Sequence, residues 1–124
     1  MFPWQILAEY AKTVVPEGVN VYSTADDKIV APAVVIRPDS PWREPHSFCI
    51  DRQRYVVVCV VPAAEPEDGT GVIYRTQSAL IAALPDGFAF VSAGGIITDE
   101  TTDTPLLASA LRLTFDNSEE EPSE

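Results

Sequence analysis

The longest uninterrupted apolar segment of the chain is Tyr55–Val61, which contains five valines and ends at Pro62. β-Branched side chains have restricted χ1 angles and fit a pleated sheet better than a helix. Because no polar residue alternates with the apolar ones, we expect neighbouring elements to cover both faces of this strand. The pattern therefore predicts the central strand of the fold.

Apolar residues at helical spacing predict two helices. The first begins at Pro3, a residue suited to a first helical turn, and ends before Pro16. Its apolar stripe consists of Trp4, Leu7, Ala8, Ala11, Val14 and Val15. The second is expected from Val72 to Leu84, with Thr70 as its N-cap. Its buried stripe is expected to consist of Val72, Thr76, Ala79, Leu80 and Ala83.

Shorter apolar segments predict the remaining strands. They are Val19–Tyr22, Ala31–Ile36, Phe88–Val91, a return strand at Ile96-Ile97 after a Gly94-Gly95 turn, and Leu106–Phe115. In the last strand one face is expected to carry Leu107, Leu111, Leu113 and Phe115, with Ser109 as its single polar member. This order of elements predicts an α+β domain, in which two helices pack on a mainly antiparallel mixed sheet.

The segment from Asp39 to Arg54 departs from these patterns. It combines prolines, aromatic residues and charges of both signs, which is typical of a long functional loop. With Arg37 it holds the only basic cluster of the chain, and arginine with aromatic residues is the composition of protein–protein hot spots. A solvated loop and a nucleic-acid patch are the alternatives. The candidate interface residues are Trp42, Arg43, His46, Phe48, Arg52 and Arg54, with Glu65, Glu67 and Asp68 as an acidic counterpart on a neighbouring subunit.

Length and composition are those of one domain. The chain has 124 residues, of which 46% are hydrophobic, and we assign residues 1–115 to the domain. Residues 116–124 contain five acids and no large apolar residue, so we expect a disordered tail that folding does not require.

The formal charge of the chain is −11, which opposes tight binding of nucleic acid or of anionic membranes. No apolar run approaches the ~20 residues of a membrane span, and the first residues lack a signal-peptide pattern. We therefore expect a cytosolic protein with no membrane partner.

Catalytic and metal chemistry find little support in the residue pattern. His46, Cys49 and Asp51 could be read as a nucleophilic triad, but they crowd within six residues, whereas such groups normally come from separate elements. Cys49 and Cys59 with one histidine lack the paired spacing of a metal site. Gly69-Thr-Gly71 lacks the lysine and further glycines of a phosphate loop. We therefore expect two reduced thiols, no cofactor, no metal and no enzymatic activity.

The order of elements resembles the tail terminator proteins of long-tailed bacteriophages, small neck proteins that share the fold of tail-tube subunits. The segments that carry the resemblance are Val19–Tyr22, Ala31–Pro38, Arg54–Val61, the helix from Val72 to Leu84 and the strand Leu106–Phe115. Together they extend from about Phe2 to Phe115. The resemblance rests on element order and strand pattern and not on an invariant motif.

The resemblance implies a structural, non-enzymatic virion protein. Family members form a hexameric ring that caps the tail tube, stops its polymerisation and joins the tail to the head-side connector. DNA would pass through the lumen of the ring without specific binding, and the chain would reside in the host cytoplasm until it joins the virion. The family offers no individual site residue to transfer. The alternatives are another head–tail neck or stopper protein, or a small acidic cytosolic module that binds or inhibits a basic partner.

Overall fold

The computed structural model describes residues 2–23, 30–47, 50–62, 66–99 and 106–118. Within these ranges the chain forms two helices and six strands. In chain order they are α1 (Pro3–Val14), β1 (Asn20–Tyr22), β2 (Ala33–Ser47), β3 (Ile50–Pro62), α2 (Pro66–Ala82), β4 (Phe88–Ala93), β5 (Ile97–Asp99) and β6 (Leu106–Ser118). This is the predicted α+β class.

The strands form one mixed sheet in the order β1-β2-β3-β6-β4, with β5 also paired to β6. Only β1 and β2 are parallel, and the remaining pairs are antiparallel. The valine-rich strand β3 lies between the two long strands β2 and β6, as its composition predicts. It is the central strand of the sheet.

The hydrophobic core lies between the two helices and one face of the sheet. Alternate residues of the three long strands point into it, and they are Val34, Ile36, Tyr55, Val57, Cys59, Val61, Leu107, Leu111 and Leu113. From the helices come Leu7, Ala8, Ala11, Ile73 and Leu80. The period of two in the strands and the apolar stripes of the helices therefore meet at one interface.

The expectation that both faces of β3 are covered is wrong for the described chain. Val57 is 1% exposed on the helix side, whereas Val56, Val58 and Val60 on the opposite side are only half-buried. The core residues of both helices cluster with the side of Val57. On the other side Val35 and Thr114 are buried, whereas these three valines of β3 are only partly covered. We call this second side the open face of the sheet.

The predicted long loop from Asp39 to Arg54 is instead an extension of β2 and β3 into a hairpin. Residues 48 and 49 lie outside the described ranges. The prolines suggested a loop because proline has no N–H group to donate to a sheet and usually ends a strand. Among the described strands, β1 pairs only with residues 33–35 of β2, so the later prolines lie on a side of β2 where no described strand needs their N–H groups.

Helix α2 begins four residues before the predicted N-cap Thr70, at Pro66. Gly69 therefore lies inside the helix, where a Cβ atom would come within 2.8 Å of the Leu107 Cδ1 atom and 3.2 Å of the Pro62 oxygen. Glycine is needed here because the helix approaches the sheet so closely. The buried stripe includes Ile73, which the prediction omitted, and leaves Ala83 exposed.

Strands β4 and β5 do not form the predicted turn and return. They follow one another along the same side of β6, with Gly94 and Gly95 as an interruption between them. The Gly94 N–H donates to the Ala110 carbonyl over 2.8 Å, and the buried Ser109 hydroxyl donates to the Gly94 carbonyl over 2.8 Å. The Gln77 amide donates to the same hydroxyl over 3.0 Å, which explains the one polar residue on this face.

The predicted tail begins three residues too early, because β6 continues through Ser118. Its last residues pair with the start of β3, from Arg52↔Asp116 to Ile50↔Ser118. The Arg52 guanidinium also binds the Asp116 carboxylate with two contacts, of 2.8 Å and 3.0 Å. Residues 119–124 lie outside the description.

Ending the chain after Phe115 is expected to lower the melting temperature, whereas ending it after Ser118 is not. The shorter chain loses the last rungs of the β3–β6 ladder, the Arg52 ion pair and the bond from the Asp116 N–H to the Gly87 carbonyl. These are part-exposed interactions, so we expect a loss of about 1–2 kcal/mol, or roughly 5 °C. Thermal unfolding of the full chain and both truncations measures it, and equal melting temperatures for the two truncations would contradict this role of residues 116–118.

Candidate functional site

An open apolar cavity lies between the start of α1 and the irregular part of β2. Helix α1 begins at Pro3, and the Gln5 side chain accepts a hydrogen bond of 2.8 Å from the Phe2 N–H. This N-terminal arrangement places Trp4 in the first turn, next to β2. In β2, residues 39–42 oppose the single residue Arg54 of β3, and such a bulge changes the direction of the side chains within it.

Three aromatic rings follow one another across this boundary. The rings of Phe2 and Trp4 are stacked with centroids 4.6 Å apart, and those of Trp4 and Trp42 meet edge to face at 6.2 Å. The Arg43 guanidinium lies 5.9 Å from the centre of the Trp42 ring, within cation–π distance. Trp42 is 39% exposed and Phe2 58% exposed, so the rings are accessible from solvent.

The rings of Trp4 and Trp42 line an open cavity of about 280 Å³, which we call the aromatic pocket. Its lining consists of Trp4, Ser23, Ile36, Arg37, Pro38, Trp42 and Tyr55. Tyr55 is buried and donates its hydroxyl hydrogen bond to the Gln53 side chain. Among the described lining residues Arg37 is the only charged one, and none of them is a carboxylate, a histidine or a thiol. The pocket therefore suits an apolar or aromatic group and not acid–base chemistry.

The structure brings together only some of the predicted interface residues. Trp42 and Arg43 are exposed beside the pocket, as an interface requires. Arg52 binds Asp116 of its own chain, and its predicted role toward a neighbouring subunit stays a prediction. Arg54 is half-buried opposite Thr114 and does not belong to the described lining of the pocket.

The structure does not describe the side chains of the remaining predicted residues. Phe48 and Glu65 fall outside the described ranges, and for His46, Glu67 and Asp68 only the backbone is described. Their roles stay predictions.

The two cysteines of the chain are Cys49 and Cys59. Cys59 lies in the core opposite Val34 and Ser109, is a free thiol, and burial raises its pKa to about 12. Its sulfur is therefore protonated and a poor nucleophile at neutral pH. Cys49 lies outside the described residues. Among the residues that are described, no group of three or more His, Cys, Asp or Glu side chains is placed to hold a metal ion.

A second exposed apolar surface lies at the far side of the sheet, which the sequence analysis did not identify. Strands β4 and β5 and the segment between them carry four large side chains that are at least 42% exposed, and these are Phe90, Val91, Ile96 and Ile97. We call this the β4–β5 edge. In the sequence this surface is indicated by a segment without charged residues, from Gly87 to Thr98, although 22% of the residues of the chain are charged.

Trp4 shows why the aromatic pocket was also missed. We expected it to be a core residue because it fits the helical stripe. It does pack against the core, but it is only half-buried and forms one wall of the pocket. Helical spacing tells which side of α1 faces the sheet, but not where the sheet ends beside it.

No helix within the described ranges has both the length and the apolar content of a membrane span. A comparison of the sequence with models of known protein families and with curated proteins gives no match.

Proposed function

We propose that the protein is a structural subunit of a bacteriophage tail, a terminator that forms a ring on the tail tube and joins it to the head-side connector. The single observation that carries the proposal is the open face of the sheet. Its half-buried surface is built from Val56, Val58 and Val60 of β3 with Ala108 and Ala110 of β6. An apolar sheet face of this kind is usually covered by a partner, so the fold suits an assembly protein.

The long hairpin supports the same function. β2 and β3 remain paired as far as Ser47↔Ile50, well beyond the segment of β2 that β1 covers. Such an extension is anchored in the central strands, so it can transmit contact forces to the core. In the proposed ring it reaches a neighbouring subunit or the tube below.

The charge of the chain is compatible with a DNA conduit. A formal charge of −11 gives a negative surface on average, which repels the phosphate backbone and disfavours sticking. The positive groups near the open face are partly compensated, since the Arg112 side chain lies 3.6 Å from the Asp39 carboxylate. DNA would pass such a surface without specific binding.

The test is removal of the gene from the genome that encodes it, followed by electron microscopy of the particles. We expect tubes of uncontrolled length without attached heads, and restoration of normal tails when the wild-type chain is supplied. In wild-type particles, density for the chain should form a six-fold ring at the head end of the tail. Density within the head-side connector would instead identify a stopper protein. A genome without tail genes, or tails of normal length after deletion, would exclude both neck functions and leave the small binding module.

A further inference from the structure

The β4–β5 edge has the composition of a surface that is covered in the working protein. Val91 and Ile97 are 52% and 64% exposed, and Phe90 is 44% exposed. Within the described residues, no strand pairs with the outer side of β4 or β5. Edge strands of soluble proteins usually carry charges that prevent association, and this one carries none between Gly87 and Thr98.

The aromatic pocket has the size and chemistry to receive side chains from such an edge. Its volume of about 280 Å³ is near the lower end of the ~300–1,000 Å³ usual for small-molecule sites and accommodates one or two side chains. Trp4 and Trp42 offer ring faces and edges to an incoming aromatic ring. Phe90 is the exposed aromatic residue of the β4–β5 edge.

The two surfaces lie on opposite sides of the subunit. In the strand order β1-β2-β3-β6-β4 the pocket is built on β2, and the edge is formed by β4 and β5 beyond β6. One copy can therefore use both surfaces at once, each with a different neighbour. Contacts between two different surfaces of identical chains generate a closed ring or an open filament, whereas a self-complementary contact stops at a dimer.

The distribution of charge also favours a contact between these two surfaces of different copies. Copies with a formal charge of −11 repel one another, so the contact should join regions of low or opposite charge. The pocket is bordered by Arg37 and Arg43, both exposed. The uncharged edge segment lies between Asp86, which is exposed on the turn before β4, and Asp99 in the sequence.

We infer that the β4–β5 edge of one copy docks in the aromatic pocket of the next, with Phe90 against Trp4 and Trp42 and Asp86 toward the arginines. The inference rests on the proposed function for its ring geometry and names the two subunit surfaces of that ring. Phe90, Trp4 and Trp42 are the anchors.

The test is a mixing experiment with two complementary variants, Trp42→Glu and Phe90→Glu. Each substitution places a charge in one surface and leaves the other intact. Sedimentation velocity of the wild-type chain up to millimolar concentration should show an oligomer. Each variant alone should lose association by at least about 30-fold, the effect of a hot-spot residue. An equimolar mixture of the two should form a 1:1 dimer and nothing larger, because one intact pocket and one intact edge remain between them.

Controls separate this contact from general effects. Tyr74 on α2 is 72% exposed and belongs to neither surface, so Tyr74→Glu should associate like the wild type. Far-ultraviolet circular dichroism and thermal melting check that each variant folds. If Trp42→Glu does not fold, Phe2→Glu replaces it, since Phe2 is 58% exposed and its ring stacks on Trp4 of the pocket.

Two outcomes would overturn the inference: a wild-type chain that stays monomeric throughout, or variants that associate as strongly as the wild type. Failure of the mixture to form the dimer would also exclude a pocket–edge contact. These failures are distinguishable from failure of the proposed function. A six-fold ring in the particle without pocket–edge contacts leaves the terminator function intact. Pocket–edge association of a chain absent from tails overturns only the terminator function.

Discussion

Replacement of Val57 by aspartate is expected to abolish folding, whereas the same replacement at Val58 is expected to leave a folded protein. The two residues are neighbours in the same central strand, and they differ in the face that they occupy. Val57 is 1% exposed and contacts the core between the sheet and the helices, whereas Val58 is half-buried on the open face.

The expected losses in the free energy of unfolding differ clearly between the two variants. Val57→Asp removes about 1.5–3 kcal/mol of valine burial and places a carboxylate in the core, which costs several kcal/mol more. Their sum is comparable with the ~5–15 kcal/mol that stabilise a typical domain. In Val58→Asp the carboxylate can reach water from the open face, so we expect a loss of about 1–2 kcal/mol.

Circular dichroism and urea unfolding of the two variants measure this difference. Val57→Asp should show no cooperative transition, and Val58→Asp should show one with a lower midpoint and an unchanged slope. A cooperative transition for Val57→Asp near the wild-type midpoint would contradict the placement of this side chain in the core. Complete loss of structure in Val58→Asp would show that the open face is covered in the isolated chain.

Gly69→Val is expected to be the most disruptive substitution of a glycine in the helices, with Gly71→Val as its matched control. At Gly69 a Cβ atom would already lie 2.8 Å from the Leu107 side chain and 3.2 Å from a backbone oxygen of Pro62. The extra methyl groups of valine would push α2 away from β3 and β6. At Gly71 the nearest atom is the flexible end of Arg75, at 3.7 Å.

We expect Gly69→Val to cost about 3 kcal/mol, the upper part of the range for overpacked cores. Gly71→Val should change the free energy of unfolding by less than about 1 kcal/mol, because both residues are poor helix formers and nothing obstructs the side chain. Chemical unfolding of both variants gives the two values. Equal effects at the two positions would mean that α2 does not approach the sheet at Gly69.

The candidate site was partly predictable from the sequence. Trp42 and Arg43 were recognised because an aromatic residue and an arginine stood together among charges, and both are exposed in the structure. Arg52 was placed in the same interface, but the register of β3 and β6 sets it opposite Asp116 of its own chain. A charge in a sequence does not reveal its partner when that partner is far away along the chain.

The sequence by itself determined the parts of the fold that depend on neighbouring residues. The valine-rich segment predicted the central strand, the helical spacing from Pro3 predicted α1, and the alternation of leucines from Leu107 predicted the buried face of β6. These predictions are reliable because a period of two or 3.6 residues fixes which side chains share a face, whatever surrounds them.

The tertiary structure alone decided which face is covered and where each edge lies. Val57 and Val58 are equivalent in the sequence, and only the packing of both helices on one side distinguishes them. The prolines of β2 interrupt the residue pattern of a strand. The structure accommodates them because β1 pairs with β2 only as far as Val35, and the rest of β2 has no described partner on that side. Which face of the sheet is covered and where an edge lies depend on contacts between residues far apart along the chain. Local periodicity does not reveal those contacts.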